Sequence, residues 1–200
     1  NGVQPEQILL LTFTNKAARE MLERVRNLLS IETGRLWGGT FHSIGNRILR
    51  RHAERLGYRQ GFSIMDREDQ KDLLDAVVGS SGIDTGAYRF PKAEVLGDIF
   101  SLASNTTVPL QKVILTRHPY FQDVSSAIHT VHEQYAAKKL ETNSVDFDDL
   151  LALPTRLLRE NEDLMERFRR QFEFVLVDEY QDTNQLQCDF IDALVGENGA

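Results

Sequence analysis

The sequence predicts an α/β protein built on a parallel sheet, with an all-helical subdomain inserted into one connection of that sheet. Three observations carry this expectation. Ile8-Leu9-Leu10-Leu11-Thr12-Phe13 and Phe174-Val175-Leu176-Val177 are short apolar runs of the kind found in buried parallel strands. The chain opens in the order strand, helix, strand, helix. From Asp66 to about Asn161 the apolar spacing is helical, and no run reads as a strand.

After the Ile8–Phe13 strand, Thr14 or Asn15 caps a helix, because a side-chain oxygen there accepts from the helix's free amides. Ala17, Met21, Val25, Leu28 and Leu29 lie on one face of that helix. Gly34 falls in the following loop. Leu36 to Phe41 reads as a short strand broken by Gly38-Gly39, and the next helix turns Ile44, Ile48, Leu49 and Leu56 inward. Asp66 precedes a helix ending near Gly79. Pro91 occupies a first-turn position ahead of Val95, Leu96, Ile99 and Phe100. Pro109 opens a short turn of helix. Asp123 to Leu140 forms a long helix with Ala127, Ile128, Val131, Tyr135 and Leu140 as its apolar stripe. Asp148 to Leu158 is helical, with Pro154 expected to kink or split it. Asn161 to Gln171 leads into the Phe174–Val177 strand, which is expected to be buried on both faces.

A parallel crossover needs about a dozen residues. More than 100 residues separate the Leu36–Phe41 and Phe174–Val177 strands. Structureless loops of that length are rare. The expected division is a sheet-bearing part, 1–65 with 141–200, and an inserted helical part, 66–140.

The 200 residues fit one or two domains of about 150 residues each. With 41% hydrophobic and 26% charged residues, a sizeable core is possible. A net charge of −7 excludes a uniformly polyanion-binding surface, so any nucleic-acid contact comes from a local patch or from backbone amides. Cys188 is the single cysteine, which excludes an internal disulfide and any multi-cysteine metal site and fits a reducing, cytoplasmic setting. No apolar run approaches the roughly 18 residues that cross a bilayer, and no signal peptide is visible, so no membrane partner is expected. The chain starts at Asn1 rather than Met and closes on the turn-like Gly196–Ala200, which reads as a piece of a longer protein.

Val177 runs straight into two adjacent carboxylates, Asp178 and Glu179. Ligands of open α/β sheets sit beyond the carboxyl ends of such strands. Two acids there can hold a metal ion and activate a water, the layout of a nucleotide-hydrolysing site. The bland alternative is a strand followed by an acidic surface turn. Asp182 fits a cap for the helix that follows. Thr12, Phe13, Thr14 and Asn15 occupy another strand end, where Phe13 either stacks on a base or packs in the core. Thr14 and Asn15 suit a phosphate as well as a cap, and Lys16 offers it a charge or lies solvated. Thr40, His42 and Ser43 form a second polar cluster after a strand. Arg47, Arg51 and Arg55 recur every four residues, as a DNA-facing strip or as a solvated face making ion pairs. Asp146, Asp148 and Asp149 fit the start of a helix better than a metal site.

Four segments together resemble one family. Leu11-Thr12-Phe13-Thr14-Asn15-Lys16-Ala17-Ala18-Arg19-Glu20-Met21, Gly39-Thr40-Phe41-His42-Ser43, Val145-Asp146-Phe147-Asp148-Asp149-Leu150-Leu151 and Val177-Asp178-Glu179-Tyr180-Gln181-Asp182-Thr183-Asn184 are similar, in order and separation, to motifs of superfamily 1A DNA helicases, the relatives of UvrD, PcrA and Rep. The resemblance implies an incomplete RecA-like, P-loop NTPase-type sheet with the inserted helical subdomain. It implies a parent protein that translocates on single-stranded DNA and unwinds duplex with ATP and Mg²⁺. Asp178 then holds Mg²⁺ through water, Glu179 activates the attacking water, and Gln181 couples nucleotide state to DNA. Thr12, Phe13, Thr14, Asn15, Lys16, Thr40, His42 and Ser43 are implied DNA contacts.

The phosphate-binding GxxxxGK[ST] loop, or Walker A, is absent: no glycine here precedes a lysine. In the family that loop lies upstream. The fragment alone is therefore expected to be inactive and to bind no cofactor. A RecB- or AddA-like helicase–nuclease and an ATPase-dead DNA-binding module remain alternatives. The sequence assigns no oligomeric state.

Overall fold

The computed structural model describes residues 2–29, 35–84 and 89–195. The expected loop at Gly34, the turn at Gly196–Ala200 and the side chain of Leu29 lie outside the described residues. The chain divides into two compact units, 1–52 with 150–200, and 53–149.

In the first unit, β1 (Ile8–Thr12) is flanked by β2 (Trp37–Thr40) and β5 (Phe174–Val177), both parallel to it. Helices α1 (Asn15–Leu29), α2 (Phe41–His52), α7 (Asp149–Glu160), α8 (Glu162–Gln171) and α9 (Gln185–Val195) accompany this sheet. Leu9 and Leu11 are fully buried, so β1 is the inner strand its all-apolar run predicts. β5 differs from expectation. It is an edge strand among the described residues, with Phe174 45% and Leu176 54% exposed. Among the described residues no layer covers its alternate side chains, so the unbroken apolar run is not buried on both faces here. Leu28, assigned to the apolar face of α1, is 82% exposed; among the described side chains of that helix Ala18 is the buried one.

Glycine sets two close approaches here. A Cβ at Gly38 would stand 2.7 Å from Leu22 Cδ2, so α1 lies directly on the β2 backbone. A Cβ at Gly45 would stand 2.0 Å from the Leu150 carbonyl oxygen. That carbonyl has lost its normal helical donor, because residue 154 is proline. Of the expected kink or split, the split does not occur: helix α7 is continuous through Pro154. Pro154 is buried, the freed carbonyl is covered by the bare Gly45 backbone, and Thr155 Oγ1 donates to Leu151 O at 2.7 Å.

The second unit packs α3 (Arg67–Ser80), α4 (Ala93–Thr106), α5 (Leu110–Arg117) and α6 (Ser125–Thr142) around Leu74, Leu96, Ile99, Ile114, Ile128 and Val131. Asp66 caps α3 as anticipated, its Oδ1 accepting from the Glu68 and Asp69 amides. α4 starts at Ala93 with Lys92 as N-cap, so Pro91 lies outside the helix rather than in its first turn.

A two-residue parallel ribbon, β3 (Ser63–Ile64) with β4 (Ser144–Val145), was not anticipated. Pairs this short carry no periodicity. The ribbon ties 53–65 and 141–149 to the helices, whereas the sequence reading groups them with the sheet.

Beside the ribbon, Lys139 is buried and bonds Asp146 Oδ2 at 2.7 Å and Asp149 Oδ2 at 2.5 Å. Tyr135 also donates to Asp146, at 2.9 Å. The Asp146 and Asp149 amides exchange bonds with each other's carboxylates, a reciprocal cap at the start of α7, where the sequence expects acids only for the helix dipole. Lys139, not Leu140, completes the buried stripe of Ile128, Val131 and Tyr135; Leu140 is 40% exposed. Burial pulls the Lys139 ammonium down, and the two carboxylates more than reverse it. Burial pushes Asp146 up, but Lys139 overcomes this and holds it below the ordinary range. Asp149 is pushed up to about 6 by burial and by the neighbouring Asp146 charge, against the pull of Lys139.

Between an ordinary value of 3.8 and about 6, the folded state keeps an Asp149 proton that the unfolded chain has lost, so stability falls as pH rises through this window. Measured against Asp149→Asn, the natural chain is expected to lose about 2–3 kcal/mol of unfolding free energy between about pH 4 and pH 7. Urea titrations at both pH values check this; a difference between the two proteins that ignores pH refutes it.

Candidate functional site

Parallel pairing brings the carboxyl ends of β1, β2 and β5 to one rim of the sheet. Thr12 pairs with Thr40, and Leu11 with Val177. The ladder continues one step further, since the Asp178 amide donates to Leu11 O at 2.9 Å. Residues 12–16, 40–43 and 178–182, distant in sequence, therefore leave the same rim.

The first loop runs from Thr12, which is buried, to the cap of α1. Thr14 rather than Asn15 makes that cap: its Oγ1 accepts from the Ala17 amide at 3.0 Å. Asn15 and Lys16 are exposed, and Lys16 lies 3.9 Å from Glu20 in a solvated pair. Phe13 is half-buried, its ring centroid 5.5 Å from that of Phe41. One side of the ring packs on the protein, and part of it remains open.

In the second loop, Thr40 caps α2. Its Oγ1 accepts from the Ser43 amide at 3.2 Å, and Ser43 Oγ donates back to Thr40 O at 2.8 Å. A Cβ at residue 39 would stand 2.4 Å from Ser43 Oγ, so glycine admits this turn. His42 is half-buried and Ser43 exposed.

Asp178, Glu179, Tyr180, Gln181 and Asp182 are all exposed. Glu179 has φ 53° and ψ 45°, the left-handed region that disfavours residues with a Cβ. Its carboxylate accepts from the Gln181 side-chain amide. The turn that follows is locked: the Asp182 amide donates to Glu179 O at 2.9 Å, and Thr183 Oγ1 donates to Tyr180 O at 2.7 Å. Asp182 does not cap α9. Asn184 does, exchanging 2.9 Å bonds with Gln187 in a reciprocal box, because the intervening 3-10 turn moves the helix start two residues on. An S/T/D/N-x-x-E/Q spacing at Asn184-Gln185-Leu186-Gln187 was the available signal.

Magnesium keeps several waters and takes one or two carboxylates plus substrate phosphates. Two exposed neighbouring carboxylates at a sheet rim fit that donor set. Among the described residues no group of three or more His, Cys, Asp or Glu forms an all-protein cage.

The arginine strip resolves differently. Arg47 and Arg51 lie over the buried Trp37 ring, at 3.7 and 5.1 Å from its centroid, and Arg55 belongs to the other unit. Burial, then the Arg51 charge, lowers Arg47. The cation–π contact was legible only as the i, i+4 spacing of the two arginines.

Fold and rim together define a mixed, mostly helical α/β protein whose small parallel sheet gathers three polar loops at its carboxyl end. The family model for the UvrD/REP helicase N-terminal domain matches residues 1–200, and the chain belongs to that family. It is 39% identical over 194 residues to the ATP-dependent DNA helicase PcrA of Leuconostoc citreum, covering 96% of this chain and 25% of that protein. It is 38% identical over 185 residues to PcrA of Bacillus subtilis, 92% of this chain and 24% of that protein. With PcrA of Staphylococcus aureus it shares 35% over 197 residues, 98% and 26% respectively. The chain thus spans about a quarter of the length of these relatives.

Glycine at position 179 relieves about 1–2 kcal/mol of left-handed strain and adds about 0.5–1 kcal/mol of unfolded-chain entropy. Glu179→Gly is therefore expected to stabilise the chain by about 0.5–1 kcal/mol. A urea midpoint at or below that of the natural chain counts against the strained turn.

Proposed function

We propose that this chain is part of the first, RecA-like motor domain of an ATP-dependent DNA helicase. In this reading it contributes the Walker B half of the nucleotide site, with an inserted helical subdomain. The observation that carries the reading is the Asp178 amide bonded to Leu11 O, which sets the acidic turn next to the end of β1, on the rim that the polar loops after β1 and β2 share. The relatives' names as ATP-dependent DNA helicases support the same reading. A cytoplasmic setting belongs to it; among the described residues no helix is long and apolar enough to cross a membrane.

Asp178 would hold magnesium through water, and the ion supplies charge neutralisation on the β- and γ-phosphates when bound. Glu179 orients the attacking water and takes its proton. The backbone turn at Glu179 fixes where its carboxylate leaves the sheet, and Gln181 holds that carboxylate by its amide. Gln181 is then placed to exchange this bond for one to nucleotide or water, which ties its position to nucleotide state. Thr14, Asn15, Lys16, Thr40, His42 and Ser43 bind the single-strand backbone with hydroxyls, amides and charge. Phe13 presents its open side to a base.

The 200-residue chain, which has no GxxxxGK[ST], is expected to hydrolyse no ATP and unwind no DNA. Steady phosphate release that Glu179→Gln abolishes contradicts this. In the full-length parent, Glu179→Gln is expected to leave ATP binding nearly intact and remove most turnover; unaltered kcat removes Glu179 from the chemistry. Phe13→Ala in the same protein is expected to weaken single-strand binding by about 1–3 kcal/mol, read by fluorescence anisotropy. Equal affinities return Phe13 to a packing role.

A further inference from the structure

The helical unit contains a cavity of about 310 Å³ between α3, α4 and the segment joining β4 to α7, within the size range of small-ligand sites. It is independent of the sheet rim and of the proposed motor chemistry. One wall is Gly97, buried in the interior of α4. Glycine there weakens a helix by about 1 kcal/mol relative to alanine. Packing does not require it: a Cβ at Gly97 would meet nothing nearer than Gln70 Oε1 at 3.6 Å, an ordinary contact. What the missing side chain leaves open is the cavity itself.

The lining is negative. Asp66, Glu94, Asp98, Asp146 and Asp148 outnumber Arg67 and Lys71. Lys71 is occupied by Glu94 at 3.5 Å, and Arg67 is exposed. Asp146 brings the buried triad to the wall, where the Lys139 ammonium faces two carboxylates. Asp148, held by Asn105 at 2.8 Å, and Phe147, 59% exposed, border it on the same segment. Leu74 and Met65 add apolar surface. Acids around an apolar floor with an aromatic rim suit a cation that has a hydrocarbon body.

We propose that this cavity binds an organic cation, an alkylammonium or guanidinium group carried on a short apolar chain. The group enters over Phe147, sets its charge toward Asp98, and lays its methylenes along Gly97 and Leu74. Two sources share this chemistry: a free polyamine, and a lysine or arginine side chain of another protein.

Calorimetric titration of the 200-residue chain with spermidine, and separately with N-acetyl-arginine methylamide, tests the site. Saturable one-to-one binding of either probe is expected. Tighter binding of spermidine assigns the site to a free polyamine, and the reverse order assigns it to a protein side chain. Gly97→Leu, which fills the cavity, is expected to abolish binding while the helical circular dichroism is retained. Asp98→Asn, on an exposed position, is expected to weaken binding about tenfold, equivalent to about 1.4 kcal/mol. Absence of saturation with both probes overturns the proposal. So does unchanged affinity in Asp98→Asn or in folded Gly97→Leu, or equal heat from Mg²⁺ alone, which marks mere screening of surface acids.

Discussion

The first unit depends on the backbone ladder that β1 makes on both sides. β1 is five residues long and its three central leucines are buried, so its amides and carbonyls have no water to fall back on. β2 and β5 satisfy them, and because both run parallel to β1, every loop that leaves a carboxyl end leaves the same rim. A one-residue slip of β5 would shift Asp178 relative to Leu11 and invert the faces of its side chains. The positions of the acids are thus a property of main-chain pairing before they are a property of the acids.

Much of the architecture was legible because it is written in local chemistry. The apolar run of Ile8 to Leu11, the carboxylate at Asp66 and the amphipathic spacing of α1 and α2 each act within a few residues, where the chain's own preferences decide. The readings that failed needed distant partners. Nothing within the Phe174–Val177 run says that it will stand at an edge. Pro154 reads as a kink or a split because the glycine that accommodates it lies at position 45. Lys139 was passed over because a lysine on an apolar stripe is anomalous until Asp146 and Asp149 are known to face it.

The candidate rim was legible in a different way. The polar residues at strand ends identified the three loops, and the pairing register brings those loops to one side. The left-handed Glu179 was not legible, since a glutamate does not advertise that conformation. Its strain of about 1–2 kcal/mol persists because the Asp182 amide, the Thr183 hydroxyl and the Asn184 cap over-determine the turn after it. Asp182, which looked like the cap, is thereby left at the surface.

The order of the strands along the chain has a bearing on biosynthesis. Ile8 finds its neighbour only when Phe174 has been made, and the whole of 53–149 emerges between them. Closing so wide a loop is slow, whereas helices join residues close in sequence and form early. On a ribosome, the helical unit has the time to consolidate before Phe174–Val177 becomes available to β1. The part of the rim that bears Asp178 and Glu179 is therefore assembled only after the helical unit has been made.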